Sequence, residues 1–122
     1  MSVSRPLERL PELPQPWEFL KLGDGECVEF RIVRWQLFKA VIHPTWPGAP
    51  EEKVIRVLRV WVDPKDKPIG PDYYDISSST LVYQLMGFLS RPDFNRFRVR
   101  ICAHGIPPRK RYSVEFKPAR PA

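Results

Sequence analysis

The sequence predicts a mainly β protein, built as a five-stranded barrel with one helix between the third and fourth strands. Apolar and polar side chains alternate in several short segments, which is the period of a half-buried strand. The apolar period changes to that of a helix over residues 76–89 and nowhere else. Loops rich in proline and glycine separate the segments, and a chain of 122 residues is the length of one domain.

The alternation gives the strands in order. In CVEFRIVRW, Val28, Phe30 and Ile32 share one side, and QLFKAVIH continues as a second strand after a bend. VIRVLRVWV is rich in β-branched residues, which favour strands. The last two, RFRVRIC and RKRYSVEF, alternate most regularly. The predicted strands span residues 27–35, 36–43, 54–62, 96–102 and 109–116.

The helix is predicted over residues 76–89, ISSSTLVYQLMGFL. The preceding serines offer an N-cap. Arg91-Pro92 ends the helix, because a residue before proline avoids the helical region. The apolar face of the helix comprises Leu81, Val82, Leu85, Phe88 and Leu89.

Five short antiparallel strands with a helix between the third and fourth follow the order of the OB fold. That fold holds oligonucleotides on its second and third strands, bordered by the loops that join strands one to two and four to five. We therefore divide the chain into an extended proline-rich arm (1–16), an OB-like nucleic-acid-binding domain (17–117) and a short tail (118–122). Leu7, Leu10 and Leu13 are expected to pin the arm to the domain.

The positive charge is concentrated at one end of the sequence. The net charge is +6, and residues 96–122 hold eight basic groups and one acidic group, so they carry the whole excess. A localised basic face is typical of nucleic-acid binders. The alternative is a solvated face that keeps the protein in solution. The turn AHGIPPRKR joins the last two strands, which places this charge beside the binding groove of an OB fold.

A protein that holds single strands without reading their sequence needs cations for the phosphates and rings for the bases. Trp61 shares strand parity with Arg59, which suggests a stacking face, and Trp46 lies in a proline-rich loop where exposure is expected. Trp35 and Phe38 are equally compatible with the core, and the alternation of Tyr112 with Val114 and Phe116 favours the core for that ring. The candidate nucleic-acid-binding residues are Arg31, Arg34, Trp35, Lys39, Trp46, Arg59, Trp61, Arg98, Arg100, Arg109, Lys110, Arg111 and Tyr112.

The sequence gives little support to catalysis. It contains no P-loop, dinucleotide-binding glycine pattern or nucleophile elbow. Cys27, His43, Cys102 and His104 lack the paired spacing of a zinc module, and the histidines are expected in turns. We therefore expect no enzyme activity, no metal and no cofactor.

The two cysteines are expected on the first and fourth strands, which pair in an OB fold, and off the core face. A disulfide between them is improbable in a reducing compartment unless the source is a hyperthermophile. Fifteen prolines and a single asparagine are in keeping with a heat-adapted protein.

The sequence predicts a soluble, cytoplasmic protein. The opening stretch, MSVSRPLERLPELPQPW, lacks the apolar run of a signal peptide. No segment approaches the roughly 20 apolar residues of a membrane span. We therefore expect no membrane partner.

The chain resembles the small OB-fold single-stranded DNA-binding proteins of phages and archaeal viruses. Three stretches carry the likeness: WEFLKLGDGECVEFRIV (17–33), the strand, loop and helix of residues 61–89, and VRICAHGIPPRKRYSV (99–114). Arg31 matches the first-strand arginine of that family, and Arg111-Tyr112 match its closing Arg-Tyr. Two features depart from the family: the chain lacks the cysteine cluster of relatives with a zinc knuckle, and it ends in KPARPA instead of an acidic tail.

The resemblance implies non-catalytic coating of single-stranded DNA, with little sequence preference, during replication, recombination or repair. Replication or recombination proteins are then the expected partners, and the pattern does not separate DNA from RNA. The alternative is an OB-like protein-interaction subunit of a nucleoprotein complex. Its basic hairpin would dock an acidic protein or a guide RNA.

Overall fold

Five strands form one antiparallel sheet in a computed structural model that describes residues 9–119. The strand order is β3-β2-β1-β4-β5, with β3 and β5 at the edges, so the sheet is not closed into the predicted barrel. The mainly β class and the single α-helix between the third and fourth strands are confirmed. The elements are β1 (Cys27–Ile42), β2 (Lys53–Val62), β3 (Tyr73–Ile76), α1 (Ser79–Leu89), β4 (Phe97–His104) and β5 (Arg111–Pro118).

The first two predicted strands are wrong as separate elements, because they form the single 16-residue strand β1. Ile32 pairs with Val62 and Arg34 pairs with Trp61, so Val33 is an extra residue on β1. Such a β-bulge bends a strand and shifts its side-chain alternation by one residue. The predicted bend is therefore a β-bulge within one strand, after which the side-chain alternation is shifted by one residue.

Strand β3 was missed by the sequence prediction. Its four residues pair with β2 from Leu58 to Trp61, and they include Ile76, which was assigned to the helix. The helix begins at Ser79, and the Ser78 hydroxyl caps it by accepting a hydrogen bond from the Leu81 N–H at 3.4 Å. A serine N-cap is confirmed, whereas the predicted helix start is three residues too early.

The main core lies between α1 and one face of the sheet, here called the inner face. Leu81, Val82, Leu85 and Leu89 are buried and Phe88 is half-buried, as the helical period predicts. Burial of one such side chain stabilises the fold by about 1.5–3 kcal/mol. The sheet contributes the buried residues Phe30, Ile32, Leu58, Val60, Val62, Ile76, Val99, Ile101 and Ala103.

The opposite, outer face is crossed by residues 10–19, here called the strap. At one end Glu12 bridges to Lys39 on β1, and at the other Phe19 bridges to Asp75 on β3. Leu13 of the strap is buried against the sheet in a second apolar cluster with Phe38, Ala40 and Val57. The burial of Leu10 and Leu13 agrees with the expectation that the arm is pinned, while Leu7 lies outside the described residues.

A disulfide joins Cys27 on β1 to Cys102 on β4, the bond that was expected only outside a reducing compartment or in a hyperthermophile. The two residues are direct partners in the β1–β4 ladder. Cys27 is exposed and Cys102 is half-buried, so both lie off the core face, as their parity indicates. Among the residues that the structure describes, no helix has both the length and the apolar character needed to cross a membrane.

Candidate nucleic-acid interface

The strap divides the outer face into two parts. It covers the outer face of β2, β3 and the second half of β1. The first half of β1, together with β4 and β5, carries alternating charged side chains that remain accessible. A ligand that binds the outer face without displacing the strap therefore has the β1–β4–β5 part, and its border with β2 at Arg34 and Trp61, available to it.

Arg59 is buried beneath the strap, with 3% of its surface exposed. Its guanidinium pairs with the fully buried Asp75 and also donates to the carbonyl oxygens of Pro14 (2.7 Å) and Pro16 (3.3 Å). The ring of Tyr73 lies 3.9 Å from the guanidinium carbon. Arg59, a predicted nucleic-acid contact, therefore lies out of reach of a ligand while the strap is in place, and its hydrogen bonds hold the strap.

Two of the candidate stacking rings pack in the apolar clusters of the fold. Phe38 is buried under the strap, and Trp35 is half-buried against the main core on the inner face. Three positions separate the two rings, so strand alternation puts them on opposite faces, and the bulge at Val33 sets Trp35 towards the helix and Phe38 towards the strap. Trp35 therefore does not lie on the outer face.

Arg34 and Trp61 form a stacked pair on the outer face. They are direct partners in the β1–β2 ladder, and the guanidinium carbon of Arg34 lies 4.2 Å from the centre of the Trp61 ring. Arg34 is exposed and Trp61 is half-buried. A guanidinium plane held over an indole is itself a surface on which an unpaired base can stack.

Arg31 and Arg98 face each other in the β1–β4 ladder, and carboxylates neutralise both. Arg31 pairs with Asp63 at 3.2 Å, while Arg98 pairs with Glu29 and Asp66, both at 2.9 Å. The hydrogen bonds from Asp66 and Glu29 raise the pKa of Arg98. These two arginines are tied to their neighbours, so they offer less charge to a ligand than the sequence suggests.

The pKa values of two of these carboxyl groups report the same pairing. The hydrogen bond from Arg98 is the main cause that lowers the pKa of Glu29 below its ordinary value of 4.5. A hydrogen bond from the backbone N–H of Lys65, with a smaller contribution from Arg31, lowers the pKa of Asp63 below 3.8. Both groups are ionised at neutral pH and balance the basic hairpin.

Arg100 is exposed on β4 between two acidic partners. Glu29 lies opposite it on β1 and Glu115 lies opposite it on β5. Among the described carboxylates, none approaches Arg100 within ion-pair distance. Its charge is therefore available to a ligand, although Glu29 and Glu115 lower the positive potential around it.

The remaining excess charge lies in the basic turn, defined as Arg109, Lys110 and Arg111 between β4 and β5. Arg109 and Arg111 are exposed, and no described carboxylate forms an ion pair with any of the three. Lys110 is half-buried, with its ammonium bonded to the Leu22 carbonyl oxygen and 5.5 Å from the centre of the Tyr112 ring.

Several contacts fix the position of the basic turn. The Gly105 N–H donates to the Asp24 carboxylate at 2.7 Å, and Gly105 has a φ of 84°, which suits glycine. Tyr112 points inward, packs against the main core and accepts a hydrogen bond from Gln84 through its carbonyl oxygen. It supports the turn from the core side, which was one of its two predicted roles.

Trp46 and Lys39 lie towards the other end of β1. Trp46 is 52% exposed in the β1–β2 loop, as predicted, and the Lys53 ammonium lies 5.7 Å from its ring centre. Lys39 is half-buried where its backbone pairs with the strap. Trp46 therefore lies beyond one end of the 16-residue strand β1, and the basic turn lies beyond the other.

Among the described residues, the two histidines and the two cysteines do not form a metal-binding site. The exposed His104 ring bonds to the Ser113 hydroxyl at 2.9 Å, and His43 contacts the Glu51 carbonyl oxygen at 3.2 Å. His104 ends β4 instead of lying in the turn. Within residues 9–119, no group of three or more His, Cys, Asp or Glu side chains is arranged to hold a metal ion.

Sequence reasoning missed the acidic residues that shape this surface. Asp63 and Asp66 come from the β2–β3 loop, about 30 residues from the arginines that they pair with. The DPKD sequence gave one usable signal, because Asp63 caps a short turn that starts with proline.

Comparison of the chain with protein families, curated proteins and solved structures finds no match.

Proposed function

We propose that this protein binds single-stranded DNA without catalysis, using the basic turn and the adjoining outer face of β1, β4 and β5. The observation that carries the proposal is the cluster of Arg109, Lys110 and Arg111 with no described acidic partner. This turn joins strands four and five, the position that borders the ligand groove in OB-fold proteins.

The sheet topology supports an OB-like reading of the fold. The long first strand pairs with both the second and the fourth strands, and the helix lies between the third and fourth. An OB barrel is often partly open, so a gap between β3 and β5 is compatible with it. The OB-like barrel therefore remains part of the proposal.

Preference for single strands requires rings as well as cations, since duplex DNA has the higher charge density. The Arg34–Trp61 stack is the aromatic site nearest the exposed part of the outer face. We place the strand along a path from the basic turn past Arg100 to this stack. Phosphates would meet the cations, and bases would stack at Arg34 and Trp61.

The test is binding of labelled dT and rU oligonucleotides, and of a duplex of equal length, across a range of salt concentrations. Log affinity should fall linearly with log salt, and each lost phosphate contact should reduce the slope by about 0.7. Reversal of charge in Arg109→Glu/Lys110→Glu should weaken binding to all single-stranded sequences similarly. The dT and rU arms decide between DNA and RNA.

A matched control is the double variant Lys65→Glu/Arg91→Glu, which changes the net charge equally at exposed positions away from the basic turn. It should bind nearly as the unaltered protein does. An equal loss of affinity in both double variants would show that the effect comes from net charge alone. No affinity for any oligonucleotide at low salt would reject the proposal and favour docking of an acidic protein on the hairpin.

A further inference from the structure

An apolar groove lies on the other side of the molecule, between α1 and the distal halves of β1 and β2. Its central part has a volume of about 590 Å³ and is lined by Leu37, Val82, Tyr83 and Met86. The groove continues past Met86 to Trp35 and Leu10, and past Val82 to Lys53 and Ile55. It is separate from the basic turn, which lies at the opposite end of β1.

Helix α1 shows an unusual surface towards this groove. Its sequence, STLVYQLMGFL, contains no charged residue, although the outward side of a surface helix is ordinarily charged. Tyr83 is 83% exposed and Met86 is half-buried. An uncharged helix face with an exposed aromatic ring beside an apolar groove is typical of an interaction surface.

Gly87 keeps the groove open. Glycine in a helix interior costs about 1 kcal/mol relative to alanine. A Cβ at this position would meet no heavy atom within 4 Å, so no close packing demands glycine here. Gly87 lines the groove, and its lack of a side chain leaves space there.

The charges along the groove have one sign. Among the described residues that line it, Lys53 is basic and exposed, Arg56 is basic with an interaction of its own, and none is acidic. Both lie on β2, towards the end of the groove that contacts the start of α1. A ligand that complements this surface has carboxylates at that end and large apolar side chains along Leu37 and Met86.

We propose that the groove between α1 and the β1–β2 hairpin docks an acidic segment of a partner protein that carries large apolar side chains. Helix-in-groove and extended-segment recognition both use apolar anchors in this way, and charge complementarity selects the partner. Because the groove and the basic turn are separate, the protein can hold this segment and a nucleic acid together.

The experiment measures fluorescence polarisation of a labelled peptide in which Asp and Glu alternate with Leu and Phe. A control peptide replaces each acid by Lys. Gly87→Trp fills the groove and should weaken binding at least tenfold, while Lys53→Glu should weaken it severalfold. Ile69→Trp adds the same side chain at a position that is 85% exposed away from the groove, and it should change nothing.

Tyr83→Ala is a second groove variant, whose exposed side chain can be removed without opening the core. It should also weaken binding, and circular dichroism checks that each variant is folded. Saturating dT oligonucleotide should leave the peptide affinity unchanged. The proposal is overturned if the acidic peptide does not bind saturably, if dT displaces it, or if the groove variants bind as well as Ile69→Trp does. Self-association that Gly87→Trp abolishes, without peptide binding, would assign the groove to a second copy and also overturn it.

Discussion

Arg59 and Asp75 lie opposite each other in neighbouring strands and form a two-point ion pair beneath the strap. The Arg59 Nε is 2.7 Å from Asp75 Oδ1, and its Nη2 is 3.1 Å from Oδ2. The Glu18 N–H also donates to Oδ2 at 2.8 Å. This pair links β2, β3 and the strap through buried polar contacts that all have partners.

Removal of one partner of this pair should strongly destabilise the fold. Arg59→Ala or Asp75→Ala leaves the other charge buried and unpaired, which typically costs about 3–5 kcal/mol. Urea unfolding measures the free energy directly. The double variant Arg59→Ala/Asp75→Ala should cost less than the sum of the two single changes, and additive losses would show that the two residues act separately.

Loss of the Cys27–Cys102 disulfide should lower stability through the unfolded state. The bond closes a loop of 75 residues, and such cross-links typically contribute about 2–4 kcal/mol. Cys27→Ser should therefore lower the urea midpoint, and reductant should do the same to the unaltered protein but not to the variant. Equal midpoints with and without reductant would mean that the bond is not formed in solution.

The stability contributed by Glu29 should be lost in acid. Its pKa is lowered in the folded protein, chiefly by Arg98, so its contribution is complete above 4.5 and declines as pH falls through the lower folded value. Thermal midpoints of the protein and of Glu29→Gln should differ at neutral pH and converge as the pH falls from 4.5 through the lowered folded pKa. A difference that persists at pH 2 would contradict this linkage.

Trp61 and Trp46 should differ in how their effect depends on oligonucleotide length. Stacking is worth about 1–3 kcal/mol per base, so loss of a stacking ring weakens binding about tenfold or more. Trp61→Ala should weaken binding of short and long dT alike, since its ring lies near the exposed outer face. Trp46→Ala should weaken only long dT, with the thermal midpoint nearly unchanged, because this exposed ring lies at the other end of β1.

Quenching of tryptophan fluorescence by dT is the direct measurement for both rings. Long dT should quench the protein more than short dT does, and Trp46→Ala should remove that additional quenching. Length-independent quenching in every variant would place the bound strand away from Trp46.

Gly87→Ala should stabilise the protein. Alanine is favoured over glycine in a helix interior by about 1 kcal/mol, and the structure shows open space for the added methyl group. The expected result is a small rise in the urea midpoint with an unchanged slope. A fall in stability would indicate that the glycine is required for packing instead of for an open groove.

Periodicity was sufficient to predict the main core. The helical face around Leu85 and the alternation of Val99 and Ile101 both specify which side chains are buried, and all three are buried. These signals are local, because each residue's direction follows from its neighbours in one regular element.

The features that failed depend on contacts distant in sequence. Val33 is an ordinary strand residue, and only the pairing of its neighbours with β2 reveals the bulge that turns Trp35 inward and Phe38 outward. Parity placed Arg59 and Trp61 on one face, but it could not show that the strap buries Arg59 and leaves Trp61 half-buried beside Arg34. In the same way, the net charge of the last quarter did not reveal the carboxylates that neutralise Arg98.

The strap also has a consequence for the order of folding during synthesis. Residues 10–19 leave the ribosome before their partners, since one end pairs with Lys39 and the other with Asp75. The strap must therefore wait, with Leu13 exposed, until the three strands beneath it are assembled. Contacts of such sequence separation favour folding on a millisecond-to-second scale. During that interval the nascent outer face is open, and a chaperone or an early ligand could reach it before the strap closes.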